Sequence, residues 1–566
     1  MKHFLSIVLV IVLAMGLCIG LSSCKDDGPQ PGEEHKCESK CPTCGKCTDA
    51  ACKEEACKEK CPSHSGPEPY EPKVDPTDDN YRVFYQIFVG SFSDSNGDGI
   101  GDIRGIINRM DYLNDGDITS GKSLGVQGLW LSPIFKSPSY HKYDAADYYQ
   151  IDPKFGTDED LKELLTICHQ RNVKVILDLA INHSSSQNAW FRSFREARRD
   201  GDITNPYYNY YTCVRGSEKV NGRNFHKLAG TDDWWYEGNF SGDMPELNYD
   251  NEAVRQQMVD VAKHWLDMGV DGFRFDAIKY IYYNNTADSA AFWDWYIGEL
   301  KKINPEIYTV GECWSGDSEV VEYYSALNCF NFTTSGTTGG IYDAVRNQDI
   351  DKFTNYVERY QQSILAENSQ AMYCPFLANH DMDRAAGFYR VSFGEAYMAA
   401  NVYLLCCGSP FIYYGEEIGM FGTRGSANTD ANRRLAMLWG DEDTVKNPEG
   451  STFKTSQQRN GTVAKQLENE DSLLNHYAKV IALRLKYPEI ARGVYTSIKT
   501  ETDGVGGFKV VYNDSTIAII HNTSADPLVI DLPEGFTELC DFVGLGEASV
   551  ADGKLTIGGR TTVILK

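Results

Sequence analysis

From Tyr81 onward, short runs of β-branched and aromatic residues alternate with stretches in which apolar residues recur every three to four positions. The short runs predict strands at 83–89, 128–131, 173–179, 270–275, 307–310, 372–377 and 410–414, with one more near 328–332. Amphipathic helical patterns such as 158–169 and 252–268 lie between them. Strands joined through helices pair in parallel, and eight such units predict an α/β fold of the (β/α)8 TIM-barrel type. The stretch 184–247 breaks the alternation; it is aromatic and polar, without a clear period, and predicts a small domain inserted after the third strand. Beyond Arg492 the texture changes to strand-like runs at 515–520, 528–530 and 561–565 divided by turn residues, which predicts a C-terminal β-sandwich. The barrel is therefore expected over 81–183 and 248–493, with the insertion at 184–247 and the sandwich at 494–566.

The region before Tyr81 follows none of these periods. Lys2 and His3 precede an apolar run from Phe4 to Leu21, the pattern of a secretory signal, with a membrane anchor as the alternative. Leu21-Ser22-Ser23-Cys24 resembles a bacterial lipobox, which implies that residues 1–24 are a lipoprotein signal and that lipid on Cys24 anchors the exported chain at a membrane, at the cell surface. Residues 25–80 are rich in Pro, Glu, Lys and Cys and predict a flexible tether. Cys37, Cys41, Cys44, Cys47, Cys52, Cys57 and Cys61 crowd into it; disulfides are the favoured reading for an exported chain, and a metal knuckle is the alternative. The remaining mature cysteines are scattered from Cys168 to Cys540 without ligand spacing.

Composition narrows the partners. Of 566 residues, 42% are hydrophobic and 24% charged, an ordinary globular balance. Against 54 Lys and Arg stand 80 Asp and Glu, a net charge of −26. Nucleic acid is not expected as a partner, because binding phosphates requires a basic face. A monomer is expected.

The candidate chemistry gathers at the ends of the predicted strands. Asp178 ends one and runs into Asn182-His183; Arg274 leads into Asp276; another strand ends in Gly311-Glu312; a fourth ends in Asn379-His380-Asp381. Any one Asp there is explained as a helix cap, and any one His as a backbone hydrogen-bonding group. Four strands delivering such groups in the same relative position point instead to a site on the C-terminal rim of the barrel.

The segments Asp178-Leu-Ala-Ile-Asn182-His183, Gly272-Phe-Arg274-Phe-Asp276-Ala277-Ile-Lys279, Gly311-Glu312-Cys-Trp314 and Phe376-Leu-Ala-Asn379-His380-Asp381 resemble the four signature regions of the α-amylase family of glycoside hydrolases. Gly128-Leu-Trp-Leu-Ser-Pro-Ile134, Ser139-Tyr-His141-Lys-Tyr143-Asp144, Met244-Pro-Glu-Leu-Asn248 and the run from Gly408 to Glu416 match as well, in the expected order from about Tyr81 to Lys566. The resemblance implies retaining hydrolysis, with Asp276 as nucleophile, Glu312 as acid and then base, and Asp381 as the third acid. It assigns sugar contacts to His141, Tyr143, Asp144, His183, Arg274, Lys279 and His380. Ala277 followed by Lys279 looks like the α-1,4-acting members, so an endo-acting α-amylase on starch or maltooligosaccharides is the leading expectation. α-Glucosidase or oligo-1,6-glucosidase, neopullulanase, a transglycosylating relative and an inactive glycan-binding member are the alternatives.

Asp94-x-Asn96-x-Asp98-Gly99-Ile100-x-Asp102 places oxygen donors at the alternating spacing of a calcium loop, with Ile100 offering its carbonyl. Gly105 stands where an EF-hand has its glutamate, so the loop is of another kind. A similar loop binds Ca2+ in many amylase relatives. A second calcium site of the family uses an asparagine matching Asn182 and a histidine whose position is Tyr280 here, a departure from that pattern.

Overall fold

The structure is a computed structural model and describes residues 77–566. The signal pattern, Cys24 and the cysteine cluster from Cys37 to Cys61 lie outside the described residues.

Seven short parallel strands form one curled sheet. Its order is Asn328–Cys329, Tyr308–Gly311, Gly272–Phe275, Lys174–Leu179, Gly128–Leu131, Phe84–Ile87 and Phe411–Tyr413. Segment 372–377, predicted as a full strand, closes the ring through single bridges only, Phe330 to Cys374 on one side and Phe376 to Phe411 on the other. The physical reason lies in Pro375, which has no N–H to give to a ladder but whose carbonyl still accepts from the Phe411 amide at 2.9 Å. The result is a (β/α)8 barrel.

Alternation along each strand sorts the residues. Phe84, Trp130, Ile176, Tyr308, Phe330 and Phe411 point inward and fill the barrel, whereas Tyr85, Leu129, Val175 and Phe273 join the outer core beneath the helices. Gly128 is required by this packing: a Cβ there would stand 2.4 Å from the Phe84 ring. Arg274 shares the inward face with the aromatic residues, one layer below the rim, so the residue two further on, Asp276, opens into the cleft above it.

The helices begin and end where local chemistry dictates. A capping box of Thr157 and Asp160 starts Asp158–Gln170. Asn251 caps Glu252–Met268, and Gly269, at φ 107°, ends it in the left-handed conformation. The insertion is more regular than its sequence suggested. It contains a helix, Ala189–Asp200, and a three-stranded antiparallel sheet of Cys213–Arg215, Trp234–Glu237 and Phe225–Lys227. The helix buries only Phe191, Phe194 and Ala197 among arginines, which is why its period was faint.

The C-terminal domain stacks a five-stranded sheet on a three-stranded one, with Ile520, Ile530, Leu555, Ile557 and Val563 between them. Residues 77–80 pack on the folded body. Arg492 ion-pairs with Asp79 at 2.6 Å, and the Asn80 carbonyl accepts from the Ser409 hydroxyl at 2.9 Å. No helix among the described residues is long and apolar enough to cross a membrane.

Candidate active site

Arg274 is fully buried and organises the floor of the rim pocket. Its Nη1 donates to Asp276 at 2.7 Å and to both oxygens of Asp178 at 2.9 and 3.1 Å. Its Nη2 lies 3.7 Å from Glu312. Asp178 in turn accepts from the Tyr143 hydroxyl at 2.8 Å, and the oxygen of that hydroxyl lies 2.6 Å from His380 Nε2. His380 Nε2 is also 3.0 Å from Asp381 Oδ2. An unbroken chain of polar contacts therefore runs Asp276–Arg274–Asp178–Tyr143–His380–Asp381, joining groups from three separate strand ends through a tyrosine on a loop. Gln86, inside the first strand, places its amide nitrogen 2.8 Å from His380 Nδ1. With that amide donating, the proton of the ring sits on Nε2, facing Asp381 and Tyr143.

Glu312 is held from the other side. Its Oε2 accepts from the Ala277 N–H at 2.9 Å. Ala277 adopts the left-handed conformation, φ 52° and ψ 42°, uncommon for a residue with a side chain. That strained turn directly after Asp276 aims an amide at the second acid.

The electrostatics separate the acids. Burial pushes the Glu312 carboxyl up to about 7, with Asp276 and Asp381 adding to the rise and Arg274 opposing it. Burial would raise Asp381 too, but His380 and Arg434 outweigh it and hold that carboxyl well below the usual carboxylate range. Buried Asp178 is raised to about 6 against the pull of Arg274.

Two histidines of the pocket, His141 and His183, are shifted toward the neutral form. Burial lowers His141 to about 4, with Arg434 acting in the same direction. The Tyr143 N–H points at His141 Nδ1 at 3.2 Å, leaving Nε2 as the donor. Burial also lowers His183, whose Nε2 is buried without a protein partner. Tyr143 lies flat on His380, ring centres 5.4 Å apart and 3° from parallel.

Two expected sugar contacts also bond within the protein. Asp144 accepts from the Ser137 hydroxyl at 2.8 Å and from the Ser139 hydroxyl. Lys279 Nζ donates to the Trp314 carbonyl at 2.8 Å. Sequence reasoning missed Arg434, whose Nη2 grips Asp381 at 2.7 Å while its Nη1 reaches the Tyr140 hydroxyl at 3.0 Å. Two exposed aromatic side chains flank the pocket. Trp314 stacks on Phe332 at 4.7 Å, and Phe240, from the insertion, packs on His183 and Tyr280. Trp234 is no open platform, because the guanidinium groups of Arg198 and Arg215 lie over its ring at 4.4 and 3.9 Å.

Asp94, Asn96, Asp98, Ile100 and Asp102 form one loop ahead of the helix Ile103–Asn108. Asp94 accepts the amides of Asn96, Gly97 and Gly99, and Asp102 caps the helix through the Gly105 amide at 2.6 Å. Among the described residues no group of three or more His, Cys, Asp or Glu side chains is arranged to hold a metal ion. A cation here would depend on the Asn96 amide and the Ile100 carbonyl as well. The donor set, all oxygen, suits a hard cation such as calcium.

A barrel whose rim carries this acid, arginine and histidine constellation defines a glycoside hydrolase. The chain belongs to the α-amylase family: the family profile described as "Alpha amylase, catalytic domain" matches residues 86–493. It is similar to "Alpha-amylase 3" of Dictyoglomus thermophilum, 34% identical over 487 residues, which is 86% of this chain and 93% of that protein. It is also similar to "Oligo-1,6-glucosidase" of Bacillus cereus, 29% identical, covering 80% of this chain and 92% of the relative. Among solved structures, "Eubacterium rectale Amy13B" superposes with a TM-score of 0.81 at 35% identity, over 88% of this chain and 97% of the other.

Proposed function

We propose that the protein is a retaining, endo-acting α-1,4-glucan hydrolase, an α-amylase that degrades starch-like polysaccharide or maltooligosaccharides. The observation that carries this reading is the contact chain from Asp276 to Asp381 with Glu312 raised to about 7 beside it. Arg274 positions Asp276 for attack on the anomeric carbon, and Glu312 delivers its proton to the departing glycosidic oxygen. A covalent glycosyl-enzyme forms. Glu312, now a base, takes a proton from water, which attacks the anomeric carbon and releases Asp276. Asp381, anchored by Arg434 and His380, orients sugar hydroxyls and favours the positive charge that develops on the ring. The unpartnered His183 Nε2 supplies a further donor, and the Tyr143 ring offers apolar contact to the sugar.

Ala277 and Lys279 favour 1,4-cleavage, and the exposed Trp314 and Phe240 offer room for sugar beyond the cleaved bond. The oligo-1,6-glucosidase likeness supports a second reading, cleavage of 1,6-linkages. A product profile on amylose, pullulan and isomaltose separates the two: internal cuts in amylose support the first, and glucose from isomaltose the second. Asp276→Asn is expected to lower reducing-sugar release by roughly 10⁴-fold or more while starch binding persists; turnover near that of the wild type overturns the nucleophile assignment.

The pattern from Lys2 to Cys24 supports an exported, lipid-anchored protein working at the cell surface. The donor chemistry and spacing of the 94–102 loop support one bound calcium, with a structural effect. Chelation is then expected to lower Tm by about 5 °C, read by calorimetry with and without chelator; an unchanged Tm overturns it.

A further inference from the structure

The mechanism leaves two buried acids of the insertion unused. Glu237 ends the strand Trp234–Glu237, and Glu246 lies on the returning segment, its amide bonded back to the Glu237 carbonyl at 2.9 Å. Both turn to one residue. Glu246 Oε1 accepts from the Asn239 N–H at 2.9 Å, and Glu237 Oε1 accepts from the Asn239 side-chain amide at 2.7 Å. Asn224 closes the clasp from outside, its N–H donating to Asn239 Oδ1 at 2.9 Å and its side-chain amide to the Asn239 carbonyl at 3.0 Å. Every polar group of Asn239 is therefore engaged. Burial pushes Glu246 up to about 8, with Glu237 adding to the rise, and Arg223 pairs with the second oxygen of Glu237 at 3.1 Å. Two carboxyls can thus face one residue without opposing each other as charges.

Phe240 comes next in the chain. Its ring is 47% exposed, with its centre 5.3 Å from that of His183 and 5.1 Å from that of Tyr280. A depression of about 420 Å3 borders it within the insertion, so packing alone does not hold the ring; the clasped backbone at Asn239 does. Beyond the ring, a Cβ at Gly238 would stand 2.7 Å from the Ser241 carbonyl oxygen, so the turn carrying Phe240 folds tightly on itself. Tyr280 ties this place to the chemistry. Burial raises its phenol, and Tyr283, Glu312 and Glu246 add to the rise, so the phenol stands near both the acid and the clasp. The group that departs takes its proton from Glu312, so the departing sugar lies on the side where Phe240 and Tyr280 meet.

We propose that Asn239 is a positioning residue that fixes Phe240 as a wall for the departing sugar, and that Phe240 thereby sets which leaving groups the enzyme accepts. The inference rests on the α-1,4-glucan reading of the cleft. A pyranose ring on the leaving side gains apolar contact with Phe240, whereas a leaving group too small to reach it gains none.

The test uses the full-length protein and the ratio of kcat/KM on maltotetraose to kcat/KM on α-maltosyl fluoride, whose departing fluoride is too small to reach Phe240. Phe240→Ala is expected to lower that ratio about 10-fold, and Asn239→Ala about 5-fold. The double variant should fall no further than Phe240→Ala, because Asn239 acts through that ring. Asn224→Ala loosens the clasp from its exposed side and should shift the ratio in the same direction, more weakly; with Tm recorded for each variant, it carries the test should Asn239→Ala fail to fold. An unchanged ratio in Phe240→Ala overturns the wall. Additive losses in the double variant, or an unchanged ratio in every folded clasp variant, overturn the positioning role of Asn239. A shifted alkaline limb of the kcat/KM profile would place the effect on Glu312 and overturn both. Failure of the wild type to cut maltotetraose overturns the α-1,4-glucan reading itself, whereas normal cutting with an unaltered ratio in the variants overturns only the wall.

Discussion

Two buried acid clusters in the same barrel make an instructive pair. In the cleft, Asp178, Asp276 and Glu312 surround the guanidinium of Arg274, and Arg434 grips Asp381. Behind the last barrel strand, Glu416 and Glu417 are buried more deeply than the cleft's Asp276, Glu312 and Asp381, and they meet phenols. Tyr403 and Tyr477 donate to Glu416 at 2.7 and 2.9 Å, and Tyr85 and Tyr112 to Glu417 at 2.7 and 2.5 Å. Arg384 does not pair with them; it donates to the Tyr414 carbonyl and lies over the rings of Tyr413 and Tyr414. Burial therefore pushes Glu416 up to about 8 and raises Glu417. The contrast teaches that burial alone makes a neutral, structural acid. Beside Arg274 the rise is smaller, to about 6 at Asp178 and about 7 at Glu312, and Asp381, held by His380 and Arg434, is pulled below the usual carboxylate range.

The comparison breaks most visibly at Arg274. Arg274→Gln removes the cation shared by three acids and is expected to lower kcat by roughly 1,000-fold, with the fold checked by circular dichroism. A loss below 10-fold would mean that the acids do not depend on it. Next in size is the pH dependence. Glu312 must carry its proton to act as acid, so kcat/KM is expected to fall as pH rises through about 7, roughly tenfold per unit beyond it. Asp381, titrating far lower, imposes no acid limb near neutrality. A flat profile to pH 9 would remove Glu312 from that role.

The smallest effect on activity is expected from Glu416→Gln, because an amide mimics the protonated acid: kcat should stay within about 2-fold. Stability carries the sharper signal. Glu416 binds its proton more tightly folded than unfolded, so its proton-linked stability is complete below about pH 4.5 and is lost progressively up to about pH 8. The Gln variant should show a flatter Tm over that window than the wild type. Equal slopes would mean that Glu416 is not held neutral.

The parts legible in sequence were those that occupy contiguous residues. Asp276, two positions after Arg274, had to share its side of the strand, and the structure places them 2.7 Å apart. The barrel emerged from strand–helix alternation, although Pro375 reduced its seventh strand, 372–377, to bridges. The helix Ala189–Asp200 was missed because three apolar residues among arginines leave little periodicity. Arg434 and Tyr140 were missed for another reason. They meet across 294 positions, and Arg434 reaches Asp381 across 53, through coil with no period to mark either residue. Gln86 read only as part of a strand, and its contact with His380 arises because closure of the ring leaves only the strand Phe411–Tyr413 between their two segments.

The first described residues have a consequence for how a bulky polysaccharide arrives. Thr77 meets Gln127, directly before the strand Gly128–Leu131, and Asp79 meets Arg82, two residues before the strand Phe84–Ile87. The polypeptide thus joins the barrel at its floor, while the acids open from its mouth. A large ligand can press against that mouth without displacing residues 77–80.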